Sequence, residues 1–316
     1  MTPLPPLRLG TRASALATTQ SGHVADALRA ATGREVALVP VTTAGDVLTG
    51  PLAQLGGTGV FVAALREALL RGECDLVVHS MKDLPTGPVD GLDLAAVPPR
   101  ASQRDVLCAR DGHTLDTLPH GSVVGSGSPR RVAQLLRRRP DLEVRGIRGN
   151  VDTRLRKVHD GEFAAIVLAE AGLTRLGRTA EITERFDLDS WPTSAGQGAL
   201  AVEVRTDDPG LSELVATVGD ATSATVSLLE RAVLRRLEAG CAAPVGISAH
   251  AEDEQIGLAA EVYALDGARS VRVERRVQAS AVADDEAGRA AVAHDVVGEL
   301  LAAGAGDLAD LPGTGR

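Results

Sequence analysis

The sequence predicts an α/β protein that ends in a smaller α+β region. Short apolar runs bounded by glycine alternate with helical stretches through the first two-thirds of the 316 residues, which is typical of βα units. These runs consist almost entirely of Val, Ile, Leu and Ala, as expected where helices cover both faces of a parallel sheet. The last third changes to a strand meander followed by a helix.

The first series of elements predicts one doubly wound sheet. Its strands are expected at residues 7–10, 35–41 and 75–80, and its helices at residues 15–31 and 60–71. Ser14 is suited to cap the first helix, and Gly33 is placed to end it. The second helix carries apolar residues at positions 61, 64, 65, 68 and 69, which form the stripe of a helix that lies on a sheet.

A second series predicts a second sheet of the same type. Its strands are expected at residues 122–125, 142–147 and 164–169, and its helices at residues 129–139 and 151–159. Residues 199–205 predict one more strand, which could return to the first sheet. A helix at 223–238, strands at 247–251, 255–264 and 270–277, and a helix at 284–303 complete the chain before a tail, 312–316, that is expected to be disordered.

Two chain crossings, at Pro98-Pro99-Arg100 and at residues 191–198, predict the domain boundaries. We expect a first domain of residues 1–98 with 199–217, a second of 99–198 and a third of 218–316. The two crossings indicate that the first two domains form a clamp.

Composition excludes several classes of protein. The net charge of −9 disfavours general polyanion binding, and five aromatic residues in all leave little for base stacking. Three widely spaced cysteines do not form a metal knuckle or a disulfide framework, so no metal is expected and a reducing compartment is favoured. No apolar run reaches the ~18 residues of a membrane span, and no secretory signal is evident. We expect a cytoplasmic protein that is not embedded in a membrane.

Polar residues follow five of the predicted strands, at the strand ends where doubly wound sheets bind ligands. These segments are Thr11-Arg-Ala-Ser14, Thr42-Thr-Ala-Gly-Asp46, Met81-Lys-Asp83, Ser126-Gly-Ser-Pro-Arg-Arg131 and Arg148-Gly-Asn150. Such a concentration of charge is unusual for connecting loops and indicates a binding site.

The segment from Ser126 to Arg131 gives the clearest signal. Pro129 suits the first helical position, so Arg130 and Arg131 lie at the positive end of the helix dipole, where arginines are unfavourable. We interpret this conflict as a site that an anion completes. The alternative is a solvated charge run, which is the interpretation we give to residues 137–139 at the end of the same helix.

Lys82 and Asp83 have two interpretations. They could form a surface pair of little energetic value. Alternatively, a carboxylate at ~4 Å stabilises a unit cation by ~4 kcal/mol at an effective dielectric of ~20, before desolvation is subtracted, which would serve a reaction that creates positive charge. His79, just inside the strand, is expected to be a packed core residue, with a general base as the second possibility.

The cysteines also differ from one another. Cys74 and Cys108 are expected to be small packing residues. Cys241 lies in a Gly/Ala/Pro segment that leaves room beside its sulfur, so a nucleophilic or attachment thiol and a buried packing thiol both remain open.

Nine motifs occur together in the order found in one enzyme family. They are Thr11-Arg-x-Ser14, Gly45-Asp46, Gly56-Gly-x-Gly-x-Phe61, His79-Ser-Met-Lys-Asp83, Val124-Gly-Ser with Arg130-Arg131, Arg148-Gly-Asn150, Leu168-Ala-x-Ala-Gly-Leu173, Gly196-Gln-Gly198 and Gly240-Cys241. The chain resembles the porphobilinogen deaminases, also called hydroxymethylbilane synthases, over almost its whole length.

The resemblance implies a fold and a reaction. It implies two hinged domains resembling a periplasmic binding protein, with a third domain that carries Cys241. Members of the family condense four porphobilinogen molecules head to tail, release ammonia each time, and hydrolyse off the linear tetrapyrrole hydroxymethylbilane. It further implies a dipyrromethane cofactor joined to Cys241 by a thioether and a monomeric state. From the composition, no nucleic-acid or membrane partner is expected.

The resemblance also assigns roles to individual residues. Asp83 would hydrogen-bond the pyrrole N–H groups and stabilise the cation formed on loss of ammonia, and arginines would hold the acetate and propionate groups of the rings. The catalytic set is Asp83, Lys82, Arg12, Arg148 and Arg154. The cofactor set is Cys241, Asp83, Lys82, Arg130, Arg131, Ser126, Ser128, Asn150 and Arg154. The substrate set is Arg12, Ser14, Phe61, Arg148, Arg175 and Gln197.

Four positions depart from the family pattern. Gln54 and Thr58 stand where many relatives carry lysine, Ala44 stands at a position that is often arginine, and Pro129 follows a shortened serine-rich turn. Because none of them is Asp83 or Cys241, we expect activity, with changes in affinity or loop motion.

Two other functions compete with this one. A clamp lined with arginine could be a binding protein for an anionic metabolite, but the isolated Cys241 and the missing signal peptide argue against that. Nine arginines between residues 130 and 156 suggest a nucleic-acid module, but the acidic total charge and the scarce aromatic residues argue against it.

Overall fold

The structure, a computed structural model, describes residues 5–41, 59–239, 243–283, 285–309 and 311. It forms two compact units. Unit 1 contains Met1–Ala101 and Ala199–Ala224, and unit 2 contains Ser102–Gly198 and Thr225–Arg316. The finer boundaries given above, at residues 98/99, 198/199 and 217/218, stay a prediction.

The helices and strands of the described residues are numbered in chain order. The strands are β1 Leu7–Thr11, β2 Val36–Pro40, β3 Leu76–Ser80, β4 Leu92–Ala96, β5 Asp105–Ala109, β6 Val123–Gly125, β7 Glu143–Arg145, β8 Ala165–Ala169, β9 Glu184–Arg185, β10 Leu200–Arg205, β11 Val245–Glu252, β12 Gln255–Tyr263 and β13 Ser270–Gln278. The helices are α1 Ala15–Thr32, α2 Gly59–Leu70, α3 Pro129–Arg138, α4 Val151–His159, α5 Glu170–Arg175, α6 Pro209–Ala216, α7 Ala221–Arg236 and α8 Glu286–Ala302.

The sheet of unit 1 has the order β2-β1-β3-β10-β4. Its first three strands are parallel, with Leu7 opposite Val36 and Leu9 opposite Leu76. β10 runs antiparallel to both β3 and β4, so the chain returns to this sheet as predicted. Helix α1 packs on one face with Leu9 and Val202, and α2 packs on the other with Val77.

The second sheet, in unit 2, repeats this arrangement in the order β7-β6-β8-β5-β9. β7, β6 and β8 are parallel, and β5 is antiparallel to β8. Leu135 of α3 joins the core on one face, and Leu155 of α4 joins the core on the other. Both sheets are therefore doubly wound, as the sequence predicts.

The carboxy-terminal part of unit 2 has a different architecture. β11, β12 and β13 form an antiparallel meander in which Ile247 pairs with Ala260 and Ala260 with Val273. Helices α7 and α8 contribute Leu229, Val233 and Leu300 to the core beneath this sheet. The predicted α+β region is thus confirmed. No helix among the described residues has both the length and the apolar character that a membrane crossing requires.

Local chemistry sets the two ends of α1. Ser14 is the N-cap, and its Oγ accepts a hydrogen bond from the Ala17 N–H at 3.4 Å. Gly33 ends the helix in the left-handed region with φ 68°, and its N–H donates to the Arg29 carbonyl at 2.9 Å. Both signals were evident in the sequence, because caps depend on residues within a few positions of the helix end.

Two glycines of this region provide a matched pair of predictions. Gly22 lies within α1, and a Cβ there would meet no atom within 4 Å; Gly22→Ala should raise the free energy of unfolding by about 1 kcal/mol, because alanine is the better helix former. A Cβ at Gly33 is equally unobstructed, but its φ of 68° disfavours alanine, so Gly33→Ala should lower that free energy by about 1 kcal/mol. Urea denaturation of both variants measures the difference, and equal signs would contradict it.

Candidate functional site

In unit 1 the predicted polar residues gather where β1 and β3 end side by side. Arg12 follows β1 directly. Lys82 and Asp83 lie in a single 3₁₀ turn, Met81–Asp83, that follows β3 without a break. The Leu84 N–H closes this turn on the Met81 carbonyl at 3.2 Å. Since neighbouring parallel strands end at the same edge of a sheet, the topology brings these side chains together.

Asp83 lies within a positively charged environment. Its side chain is partly exposed. Burial raises the pKa of Asp83 above its ordinary value, while Lys82, His79 and Arg12 act in the opposite direction. Three basic side chains therefore act on one carboxylate, which fits the interpretation of Asp83 as more than a surface partner of Lys82.

Helix α1 is attached to both strand ends by side-chain hydrogen bonds. Gln20 Nε2 donates to Ser80 Oγ at 2.9 Å, and Ser21 Oγ donates to Thr11 Oγ1 at 2.9 Å. Ser14, a predicted substrate residue, lies at the start of this helix and uses its oxygen as the cap described above. These bonds fix the amino end of α1 relative to the residues that follow β1 and β3.

His79 is a buried residue, as predicted, and it belongs to a charged cluster. Its Nε2 lies 3.2 Å from Glu203 Oε2. Arg66 of α2 donates to the two Glu203 oxygens at 2.9 and 2.6 Å. Burial raises the pKa of Glu203, but the contacts with His79 and Arg66 outweigh it and lower that pKa to about 2. Neither Glu203 nor Arg66 was predicted from the sequence as part of such a cluster.

In unit 2 the predicted arginine pair surrounds one buried carboxylate. Asp105, at the start of β5, is completely buried. Its oxygens lie 2.7 Å from Arg130 Nη1 and 2.5 Å from Arg131 Nη2. Gln197 Nε2 and Trp191 Nε1 also donate to this carboxylate, at 2.8 and 3.0 Å. Burial raises the pKa of Asp105, but the two arginines outweigh it and hold that pKa far below its usual range.

Asp105 changes the interpretation of the helix-dipole conflict. Within the fold, the anion beside the two arginines at the start of α3 is Asp105, a residue of the chain itself. The bound anion expected from the sequence stays a prediction. The pair still carries one positive charge in excess, since two guanidinium groups share one carboxylate. Neither Arg130 Nε nor Arg131 Nε has a hydrogen-bond partner among the described residues, and both atoms are buried.

Further arginines add to this excess. Arg154 of α4 donates from Nε to the Gly149 carbonyl at 2.8 Å. Burial lowers the pKa of Arg154, and the charge of Arg131 lowers it further, which indicates that the two cations act on each other. Arg175 Nη2 donates to the Gly198 carbonyl at 2.7 Å, and burial lowers the pKa of Arg175 as well.

The remaining predicted residues of unit 2 occupy the ends of β6 and β7. Ser126 is buried and accepts from the Ser128 N–H at 3.3 Å. Ser128 precedes α3, and Pro129 takes the first helical position, as predicted. Asn150 caps α4 by accepting from the Thr153 N–H at 2.9 Å, and Arg148 is exposed beside it.

Several predictions fall on residues that the structure does not describe. Cys241 and the departures at Ala44, Gln54 and Thr58 lie outside the described residues, and for Phe61, near the start of α2, only the backbone is described. The other two cysteines are buried and free, as predicted for packing residues. Burial raises the pKa of Cys74 to about 11 and that of Cys108 to about 12.

Comparison with known proteins gives consistent matches along the chain. The family model "Porphobilinogen deaminase, dipyromethane cofactor binding domain" matches residues 7–213, and "Porphobilinogen deaminase, C-terminal domain" matches residues 224–294. A porphobilinogen deaminase of Leifsonia xyli is 52% identical over 314 residues, covering 97% of this chain and 95% of its own. One of Thermobifida fusca is 48% identical over 315 residues, covering 98% of each chain.

Solved structures give more distant matches. A periplasmic substrate-binding protein of an ABC transporter from Coxiella burnetii is 15% identical, with a TM-score of 0.43, and the match covers 72% of this chain and 95% of that one. The methionine binding protein MetQ is 13% identical, also with a TM-score of 0.43, and the match covers 72% of this chain and 93% of that one.

The Glu203 cluster predicts a pH dependence of stability. Since the folded-state pKa of about 2 lies below the ordinary 4.5, the ionised form stabilises the fold above pH 4.5, and this contribution is lost as the pH falls towards 2. The loss should reach about 3 kcal/mol. Glu203→Gln should be less stable at pH 6 and should lose less stability between pH 4.5 and 2 than the wild type. Urea denaturation across this pH range measures both, and parallel curves would contradict the assignment.

Proposed function

The chain belongs to the porphobilinogen deaminase family, and on that premise we propose which of its residues carry out each part of the reaction. It is a transferase that condenses four porphobilinogen molecules head to tail, with loss of ammonia, to give hydroxymethylbilane for tetrapyrrole biosynthesis. Its cofactor is a dipyrromethane. The residue roles, the attachment to Cys241, the monomeric state and a cytoplasmic location belong to the proposal.

The observation that carries the proposal is the excess of positive charge around α3. Each pyrrole ring of substrate and cofactor bears an acetate and a propionate, so a growing chain is a polyanion. Arg130, Arg131 and Arg154 bring three positive charges to a region where Asp105 supplies one negative charge. Guanidinium groups bind carboxylates through paired, charge-assisted hydrogen bonds, so these residues fit a dipyrromethane with its four carboxylates.

We assign the residues of unit 2 to holding this anionic chain. Arg130, Arg131 and Arg154 would bind the carboxylates of the dipyrromethane, with Ser126, Ser128 and Asn150 at the neighbouring strand ends. Arg148, Arg175 and Gln197 would hold incoming substrate. When bound, the dipyrromethane supplies the free pyrrole carbon to which the first substrate is joined. Charge-assisted hydrogen bonds of about 1.5–3 kcal/mol each are similar in the ground and transition states, so these groups determine position and affinity more than rate.

We assign the rate enhancement chiefly to Asp83. Its carboxylate would accept hydrogen bonds from pyrrole N–H groups and stabilise the positive charge that develops on the substrate ring as the aminomethyl group leaves as ammonia. This stabilisation is largest in the transition state, so it raises the rate. Lys82 and Arg12, which act electrostatically on Asp83, would favour its ionised form. Ser14 and Phe61 are assigned to the substrate side of this unit.

Asp83→Asn tests the catalytic assignment. The amide keeps the shape of the side chain but loses the charge, so turnover should fall by about a thousandfold, which corresponds to ~4 kcal/mol. The cofactor should remain attached, and this is measured by intact mass. Asp93→Asn removes one exposed carboxylate of β4 in the same unit and serves as the matched control. Near-normal turnover of Asp83→Asn would overturn the assignment.

The attachment residue is tested by mass spectrometry. The intact wild-type protein should exceed its sequence mass by one dipyrrole, and Cys241→Ser should have the sequence mass alone. Cys74→Ala and Cys108→Ala should retain the added mass, because burial raises the pKa of both thiols and leaves them poor nucleophiles. A fully active wild-type protein without the added mass would refute the attachment.

A further inference from the structure

Tyr263, at the end of β12, contacts two functionally distinct parts of unit 2. It is 1% exposed. Its backbone N–H donates to the Pro244 carbonyl at 2.9 Å, three residues after Cys241 in the chain. Its hydroxyl accepts from Gln134 Nε2 at 3.0 Å and donates to Glu261 Oε2 at 2.8 Å. Burial and Glu261 raise the pKa of the Tyr263 phenol, so the hydroxyl keeps the proton that this second bond needs.

Gln134 extends this contact to the arginine pair. Its Oε1 accepts from Arg130 Nη1 at 2.7 Å, and its Nε2 also donates to the Pro192 carbonyl at 2.9 Å. Arg130 Nη1 in turn donates to Asp105. A continuous series of buried hydrogen bonds therefore runs from Asp105 through Arg130 and Gln134 to Tyr263.

The turn between β12 and β13, which follows Tyr263, also contacts α3. Gly267, in the turn between β12 and β13, has φ 73°, and a Cβ there would lie 2.5 Å from the Ala133 carbonyl oxygen and 2.6 Å from the Arg137 nitrogen. Only glycine allows so close an approach of the turn to the helix backbone. The hydroxyl of Tyr263 and the turn at Gly267 therefore contact the same helix at Gln134 and at its neighbours.

We propose that Tyr263 is a positioning residue for cofactor assembly, holding the strand that follows Cys241 at a fixed distance from the Arg130–Arg131 pair. This inference rests on the proposed roles of Cys241 and the two arginines. In the attachment, the sulfur bonds to the methylene carbon of one porphobilinogen, whose amino group leaves as ammonia, and a second porphobilinogen joins this ring with loss of a second ammonia. The thiol must meet the same molecule whose carboxylates the arginines bind, so an error in their spacing slows the attachment. The aromatic ring fills the core, whereas the hydroxyl supplies the directional link to α3.

The test is the rate at which cofactor-free protein, produced in cells that make no porphobilinogen, gains the dipyrrole mass when porphobilinogen is added. Tyr263→Phe removes only the hydroxyl and should load about fivefold to tenfold more slowly, because one buried hydrogen bond to Gln134 is lost and Glu261 loses a donor. Its circular dichroism spectrum should match that of the wild type.

Val262→Ala is the matched control. Val262 precedes Tyr263 in β12, is completely buried in the apolar core, and is not part of the hydrogen-bonded series. Its truncation should lower the melting temperature more than Tyr263→Phe does, yet leave the loading rate at the wild-type value. Wild-type loading by Tyr263→Phe, or equal slowing by Val262→Ala, would overturn the inference. Wild-type protein that gains no mass at Cys241 would refute the proposed attachment to that residue, and this inference with it.

A double-mutant cycle isolates the contact. Gln134→Leu should also slow loading, because it removes the hydrogen bond between Gln134 and the Tyr263 hydroxyl. Adding Tyr263→Phe to Gln134→Leu should then slow loading no further, since that hydrogen bond is already absent. If the double variant slows loading by the product of the two single-variant factors, Tyr263 acts by a route other than Gln134, and the proposal is overturned.

Discussion

One buried carboxylate organises the second sheet and the region beside it. Asp105 has no exposed surface, and it receives hydrogen bonds from two arginines, an indole and an amide. Removing such a carboxylate would leave two guanidinium groups buried without a counter-ion, a change that commonly costs 3–5 kcal/mol. Asp105 therefore fixes the positions of both guanidinium groups, although it contacts no solvent. It also holds the start of α3 and the segment that contains Trp191 and Gln197.

The two sheets share one topology, but charged residues are arranged differently at their strand ends. In each, cationic residues follow two neighbouring parallel strands: Arg12 and Lys82 follow β1 and β3 in unit 1, and Arg130, Arg131 and Arg148 follow β6 and β7 in unit 2. In unit 1 these cations act on a carboxylate at the strand end, Asp83, which is partly exposed. In unit 2 the carboxylate is buried beneath the cations, and the positive charge remains in excess. The first arrangement suits the stabilisation of a transient cation, and the second suits the binding of a stable polyanion.

Local sequence signals predicted the elements that depend on local geometry. Ser14 and Gly33 bound α1 as expected, and the strand-end positions of Arg12, Lys82 and Asp83 followed from the βα pattern. Strands β4 and β5 were missed, because no α-helix separates them from β3, from each other or from β6, so the alternation of strands and helices does not mark them. The partners of buried groups were missed for a different reason. Asp105 and Arg131, and Gln134 and Tyr263, are separated by 26 and 129 residues, and periodicity carries no information on pairing at that distance. The one signal for Asp105 was an acidic residue at the head of an apolar run.

The excess charge around α3 links folding to binding. Burial lowers the pKa of Arg130 and of Arg154, and the charge of Arg131 lowers both further. A guanidinium group does not lose its proton in the physiological range, so this unfavourable energy is not relieved by deprotonation and is carried by the fold. Asp105 offsets part of it. A ligand that brings carboxylates to the remaining donors offsets the rest, and because it binds the folded state alone it stabilises that state by the same free energy. In the ligand-free protein the buried arginines repel one another, and the carboxylates of a bound anionic chain relieve this repulsion. The relief contributes part of the binding free energy.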